Sequence, residues 1–309
     1  MGSVTPLPIQ TIALHLHPFM KNKLLPWVIL ITLSLVWGSS FILMKRGMDA
    51  FPDNQVAAMR ISIAFISLLP LVFKHTQVSV RKFLPGLLLM GFFGNLIPAF
   101  LFTAAETRIS SSLAGMLNAL TPLFTVLVGF VWLKNKVKTK QLIGILIGFL
   151  AATALMIFDA SEDPFRNLSF GLLVVLATFC YAISVNSIKH YLGGLSAVPA
   201  TAWAFCFTGP PAMVYLFGFT DFTQRLQYHP LAWQSLGYVS ILAVVGTALS
   251  VILYNTLIRS AGVLFASSCT YLIPVVAVMW GIGDGEQVNG LQLISIGIII
   301  LSVYLINRD

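Results

Sequence analysis

Leu24 to Met44 reads LLPWVILITLSLVWGSSFILM, twenty-one residues without a charge. A bilayer core about 30 Å thick takes about 20 apolar residues as an α-helix, so this stretch is a membrane span. It is too long for the core of a signal peptide and has no small-residue cleavage site ahead of the next apolar run, which makes it a retained span. Upstream, residues 1–19 are mixed and proline-bearing, and Met20-Lys21-Asn22-Lys23 reads as a start directly before the span. Residues 1–23 are therefore expected to be a disordered cytoplasmic segment whose first nineteen residues are dispensable.

The rest of the chain repeats that composition. Of its 309 residues, 58% are hydrophobic and 9% charged, against roughly a quarter charged in a soluble domain, and this excludes a soluble globular protein. Cutting at charge clusters and turn residues leaves ten runs: 24–44, 54–73, 83–105, 109–133, 141–158, 168–188, 197–219, 236–258, 263–282 and 288–306. Connectors are short, so the fold class is an all-α integral membrane protein with ten transmembrane helices and no soluble domain. Cys180, Cys206 and Cys269 share no short spacing, and His15, His17, His75, His190 and His229 all lie outside the runs. Neither set forms a disulfide framework or a metal site, and no cofactor is expected.

The formal charge of +8 reads as topology, because Lys and Arg collect in cytoplasmic loops. With the N-terminus inside, the cytoplasmic side holds Lys21, Lys23, Lys74, Arg81, Lys82, Lys134, Lys136, Lys138, Lys140, Lys189, Arg259 and Arg308. The outer side holds Lys45, Arg46, Arg108, Arg166 and Arg225, with nine of the ten acids. Both termini are thus cytoplasmic. The lysines at 134, 136, 138 and 140 form a short loop that reads as this topology signal near anionic lipid, not as a nucleic-acid site; lipid and a small-molecule substrate are the expected partners.

Sliding the second half over the first brings Trp37 and Lys45 onto Tyr181 and Lys189. Asn95, Phe102, Asn118 and Pro122 fall on Thr247, Tyr254, Thr270 and Pro274, and Gly148 falls on Gly297. Residues 24–158 and 168–307 are then two five-span units. Five is odd, so they enter the membrane in opposite directions, an inverted repeat around a central cavity as in many transporters.

At these residues the chain resembles a known family. Trp37-Gly38, with Ser39, Ser40 and Phe41, resembles the W-G-x-x-F opening of the EamA-type transporters of the drug/metabolite transporter superfamily. Phe51-Pro52 with Arg60 resembles that family's second-span pattern. The run from Ser111 through Ala114 to Pro122, repeated from Ala266 to Pro274 and closed by Gly285-Glu286, is similar to its paired signature. The resemblance covers nearly the whole chain from Met20. It implies ten helices in two inverted halves and export of amino acids or other small metabolites. One departure stands out: Lys134 and Asn135 occupy the first-half place of Glu286 and its neighbour, so no glutamate pair is implied.

The candidate cavity residues follow from the matched positions. Ser111, Ala114, Asn118, Thr121 and Thr125 recur at steps of three and four, one helical face. The Ser and Ala members read equally as helix packing, while Asn118, with polar Thr270 as its counterpart, reads as cavity-facing. Trp37 with Tyr181, and Phe102 with Tyr254, either wall a shared cavity or fill and anchor their helices; Asn95 and Thr247 are their polar neighbours. Pro122 and Pro274 read as matched hinges. Arg60, the only charge well inside a run, has two readings: snorkelling to the outer interface beside Glu106 or Asp53, or a counter-charge for a substrate carboxylate.

These features favour a secondary transporter that exports small metabolites such as amino acids by alternating access, in a bacterial inner membrane. Exporters of purines or hydrophobic cations and, further off, a gated pore are the alternatives. No span holds a histidine or an interior carboxylate, which argues against an enzyme and makes uniport or exchange the simplest coupling. No Walker motif is present for direct ATP use.

Overall fold

The computed structural model describes residues 24–134, 139–157 and 164–307. Expectations for residues 1–23, Asn135, Lys136, Lys138 and Arg308 lie outside them. Every described element is helical. In chain order these are α1 (Leu25–Gly47), α2 (Asp53–Lys74), α3 (Val80–Gly91), α4 (Ile97–Glu106), α5 (Ser111–Leu117), α6 (Thr121–Leu133) and α7 (Thr139–Ile157). They continue as α8 (Pro164–Tyr191), α9 (Ala197–Gly218), α10 (Phe222–Tyr228), α11 (Ala232–Ala243), α12 (Ser250–Ser267), α13 (Ile273–Gly283) and α14 (Gly290–Asn307).

Among the described residues, eight helical stretches are long and apolar enough to cross a bilayer. They include α3 joined to α4 as Val80–Glu106, α5 joined to α6 as Ser111–Leu133, and α11 joined to α12 as Ala232–Gly262. The stretch Ala197–Gly218 adds a ninth if counted with Phe222–Tyr228, from which it is bent by 64°, and Gly290–Leu305 is a shorter apolar helix. The chain is thus an all-α, multi-pass membrane protein. The apolar runs of the sequence locate these helices, but not α10 and not the breaks within the spans.

Those breaks are regular. A π turn at Phe92–Leu96 joins α3 to α4, and another at Val244–Leu249 joins α11 to α12. Single turns of 3₁₀-helix at Asn118–Leu120 and Ser268–Tyr271 precede α6 and α13, whose first turns contain Pro122 and Pro274. A proline in the first turn lacks only an N–H that has no intrahelical partner there. Gly262, with φ of 87°, separates two helical segments within α12.

Helix α2 packs on α9, α7 on α14, and α5 on α13. Each contact closes over a glycine: Gly209 against Phe65, Gly148 against Leu123 and Ser302, Gly115 against Ala277 and Phe41. In lipid the gain comes from close approach of backbones, which small residues permit. The outward faces are apolar instead, as on α7, where Leu142, Leu146 and Leu150 are all more than half exposed at four-residue intervals. Polar side chains such as Arg60, Asn95, Asn118 and Thr270 are buried. This leaves hydrocarbon outside and hydrogen-bonding groups inside, as a bilayer requires.

Candidate functional site

Between the helices lies a cavity with about 880 Å³ of empty space, counting its open side. Nine of the ten residues singled out in the sequence line it: Trp37, Arg60, Asn95, Phe102, Asn118, Thr121, Tyr181, Tyr254 and Thr270. The tenth, Thr247, lies behind the wall, where its hydroxyl accepts from Arg60 Nε at 2.8 Å. Two aromatic contacts frame the space. Trp37 meets Tyr254 edge to face at 5.0 Å between centroids, and Phe102 stacks on Tyr181 at 5.9 Å. Phe41 extends the second pair with an edge contact to Phe102 at 5.7 Å.

The polar groups divide into those already occupied and those left free. A π turn shifts backbone bonding by one residue, and side chains serve the carbonyls left over. Asn95 Nδ2 donates to Met90 O at 3.0 Å and Thr247 Oγ1 to Leu242 O at 3.1 Å, each reaching five residues back. The hydroxyls of Thr121 and Thr270 turn back onto the carbonyls of Asn118 and Ser267. Trp37 Nε1 is held by Gly246 O at 3.0 Å. Among the described residues, the Asn118 amide and the Tyr181 and Tyr254 hydroxyls face the cavity with no protein partner. Asn255, which the sequence reading passed over, also lines it and donates to Thr201 Oγ1 at 3.0 Å.

Arg60 is buried and, contrary to the snorkelling reading, makes no ion pair with Asp53 or Glu106 among the described residues. Besides Thr247, among the described residues it reaches only Met44 Sδ, from Nη1 at 3.6 Å. A guanidinium has five N–H donors, so most remain available to an anion in the cavity. The seat is geometric: Arg60 lies two helical turns into α2, whose packing beside α11 and the following π turn puts the side chain next to Thr247.

Comparison with known proteins identifies the fold's relatives. The sequence pattern of the EamA-like transporter family matches residues 25–157 and again 169–308. The chain belongs to the EamA-like transporter family. It is 25% identical over 289 residues to the uncharacterized inner membrane transporter YedA of Escherichia coli K12, covering 90% of this chain and 89% of YedA. It is 24% identical over 287 residues to the S-adenosylmethionine/S-adenosylhomocysteine transporter of Chlamydia trachomatis serovar L2, covering 89% and 87%. An uncharacterized transporter of Archaeoglobus fulgidus is 22% identical over 292 residues, covering 91% and 98%. A solved crystal structure superposes with a TM-score of 0.61 at 15% identity, over 91% of this chain and 95% of that one. It shares the fold.

At one end of the cavity this EamA-like transporter carries a charged clasp. Glu286, just beyond α13, accepts hydrogen bonds from the backbone N–H and hydroxyl of Ser111 (3.0 and 2.8 Å) and of Ser112 (3.0 and 2.6 Å), and from Lys45 Nζ (2.8 Å). Lys45 also reaches Asp284 at 2.6 Å, and Arg46 pairs with Asp284 as well. Gly285, with φ of 85°, makes the left-handed turn that aims Glu286 back at α5, a conformation open to glycine at little cost. The carboxylate and the Ser110 hydroxyl, which accepts from Leu113 N at 3.1 Å, together cap the first turn of α5, satisfying N–H groups that have no helical partner. Burial alone would push the Glu286 carboxyl up, but the bonds from Lys45, Ser112 and Ser111 outweigh it and hold it at about 2. The sequence signal for the clasp was present in Gly285-Glu286, but its partners, Lys45 and Ser111, lie too far away in the chain to be paired by spacing.

Proposed function

We propose that this EamA-type membrane transporter moves small metabolites such as amino acids outward across the inner membrane by alternating access, without ATP hydrolysis. The observation that carries the reading is one buried guanidinium lining the same cavity as two aromatic pairs, with free amide and hydroxyl groups alongside. Arg60 suits a substrate carboxylate; the rings suit an apolar or planar portion; Asn118, Tyr181 and Tyr254 suit its remaining polar atoms. A lone hydrophobic cation is disfavoured beside an uncompensated arginine.

The cavity lies between two inverted five-helix halves with ten crossings in all. Several features support this. The family pattern matches the chain twice. The π turns, the 3₁₀ turns and the prolines that follow recur in the same order in each half. The contact of Trp37 with Tyr254 is the counterpart of that of Tyr181 with Phe102 under the repeat. Pro122 and Pro274 then serve as hinges at the 3₁₀ breaks. Both termini face the cytoplasm, as the basic residues require, which sets the clasp at the outer end. The inner-membrane location also draws on YedA, whose name carries it.

A second substrate reading draws on the chlamydial relative named for S-adenosylmethionine and S-adenosylhomocysteine. Each of those molecules joins an amino-acid carboxylate to a planar base, which the guanidinium and the ring pairs accommodate together. A competition screen in proteoliposomes, run once with a labelled amino acid and once with labelled S-adenosylhomocysteine, tests both. Competition by amino acids supports the first reading, and competition by S-adenosylhomocysteine and adenine but not by free amino acids supports the second. Inhibition only by hydrophobic cations would contradict both.

A further inference from the structure

Glu106, the last residue of α4, looks in the sequence like a span-end acid, yet the fold buries it: it is 8% exposed, and both carboxyl oxygens lack a hydrogen-bond partner among the described residues. Among the described residues, none of the charged groups around it bonds to it. From α2, Arg60 faces it while bonded to Thr247; from α1, Lys45 faces it while bonded to Asp284 and Glu286; beyond α13, Glu286 itself adds a like charge. From α5, the Ser111 and Ser112 hydroxyls are both given to Glu286. Helix α8 packs on α4; from Leu168 to Phe179 its sequence carries no titratable side chain, and Cys180 and Tyr181 come next, Tyr181 stacking on Phe102 one turn before Glu106.

An ionised carboxylate so buried, with no donor on either oxygen, costs far more than a neutral acid in the same place, and such a group sheds its charge instead. We propose that Glu106 is a proton-binding site behind the clasp, neutral while the clasp is shut and ionised when it opens. On opening, water reaches the carboxyl, the O–H bond breaks, the proton leaves to water as hydronium, and the carboxylate remains facing Arg60 and Lys45. Closing reverses each step, so closure takes up one proton and external acid favours the closed clasp. The opening step rests on the alternating-access reading above; the neutral carboxyl in the closed state does not. This goes beyond uniport or exchange, because it gives the transporter a route for coupling to a proton gradient.

The test needs no substrate. Infrared difference spectra of wild type against Glu106→Gln, at neutral pH in lipid, should show a protonated-carboxyl C=O band that vanishes as pH is raised. In the same vesicles a cysteine placed at Ser40, on the cavity wall, is labelled from the clasp side with a membrane-impermeant maleimide, in a background lacking native cysteines. Labelling should accelerate with rising pH by up to about tenfold per unit, the limit for one linked proton, and should be slow and flat in Glu106→Gln. Glu106→Asp should retain the band and a pH-dependent rate, which keeps the test sound if the glutamine variant misfolds. Absence of the band overturns the proton site. A pH-dependent rate unchanged in Glu106→Gln overturns its link to the clasp. A band without clasp-side labelling at any pH upholds the proton site and contradicts alternating access instead.

Discussion

At the clasp end, Glu286 gathers five hydrogen bonds from Lys45, Ser111 and Ser112, and Asp284 adds Lys45 and Arg46. At the opposite end the comparable junction, after α8, is held by Arg259, whose Nη2 donates to Leu192 O at 2.9 Å and whose Nη1 reaches Gly193 O at 3.5 Å. Under the repeat, Lys189 stands for Lys45, but Lys134 and Asn135 stand where the second half has the acid. Lys134 takes a left-handed φ of 53°, against 85° at Gly285, with a side chain that disfavours it. Both ends keep a left-handed turn, and among the described residues one end alone has an acidic anchor. On the proposed alternating-access reading, the difference teaches that closure is built asymmetrically: a charge lock at one end and backbone capping at the other. The two halves are alike in how they bend and unlike in how they latch.

The largest effect should come from removing the lock. Glu286→Gln keeps the shape but loses the charge-assisted bonds, each worth about 1.5–3 kcal/mol. Clasp-side labelling of the Ser40→Cys reporter should rise by roughly one to two orders of magnitude. A rate equal to wild type would make the clasp an ornament of the closed state. The pH dependence has a definite sign: the Glu286 carboxyl lies at about 2, below its ordinary 4.5, so the lock is complete above about 4.5 and fails only as pH falls toward 2. Clasp opening in strong acid and the proposed Glu106 response therefore run in opposite directions with pH, and one labelling series across pH separates them.

Smaller effects probe the cavity and the far end. Tyr254→Phe removes an unpartnered hydroxyl and should weaken a polar substrate by about 0.5–1.5 kcal/mol, measured as affinity, with expression unchanged; Tyr254→Ala and Phe102→Ala should cost more through the lost ring contacts. No change in any of the three would take these rings out of the site. Arg259→Met, at the end without an acid, should cost only about 0.3–1 kcal/mol, the usual value of a cation at a helix C-terminus, read as a small change in thermal unfolding. A loss matching that of Glu286→Gln would erase the asymmetry.

Much of this was legible in the chain and some was not, for physical reasons. Hydrophobic run length placed the helices because lipid admits little else, and the matched positions Trp37, Tyr181, Phe102 and Tyr254 converge on one cavity because polar and aromatic groups in a bundle turn inward. The π turns were not read from the sequence, although each contains a glycine, Gly94 and Gly246. Asn95 and Thr247 accordingly read as binding groups, while their side chains are engaged first in mending the backbone. Glu106 does end its span, but its burial was not legible, because position in a run says how far along the helix a residue lies, not what covers it. Lys45 and Glu286 are 241 residues apart, a pairing only tertiary structure reveals.

The central claim is that Arg60 receives a substrate carboxylate inside a cavity shared by both halves, and one measurement tests it most directly. Uptake of a labelled amino acid into proteoliposomes, competed by its carboxylated analogues and by the matching decarboxylated amines, is compared between wild type and Arg60→Lys. Lysine keeps the charge and loses the planar fork that grips a carboxylate. The account predicts that competition by carboxylated compounds falls about tenfold or more, as expected for a loss of about 1.4 kcal/mol, while that by amines changes little. Equal losses for both classes would make Arg60 a structural group and contradict the claim.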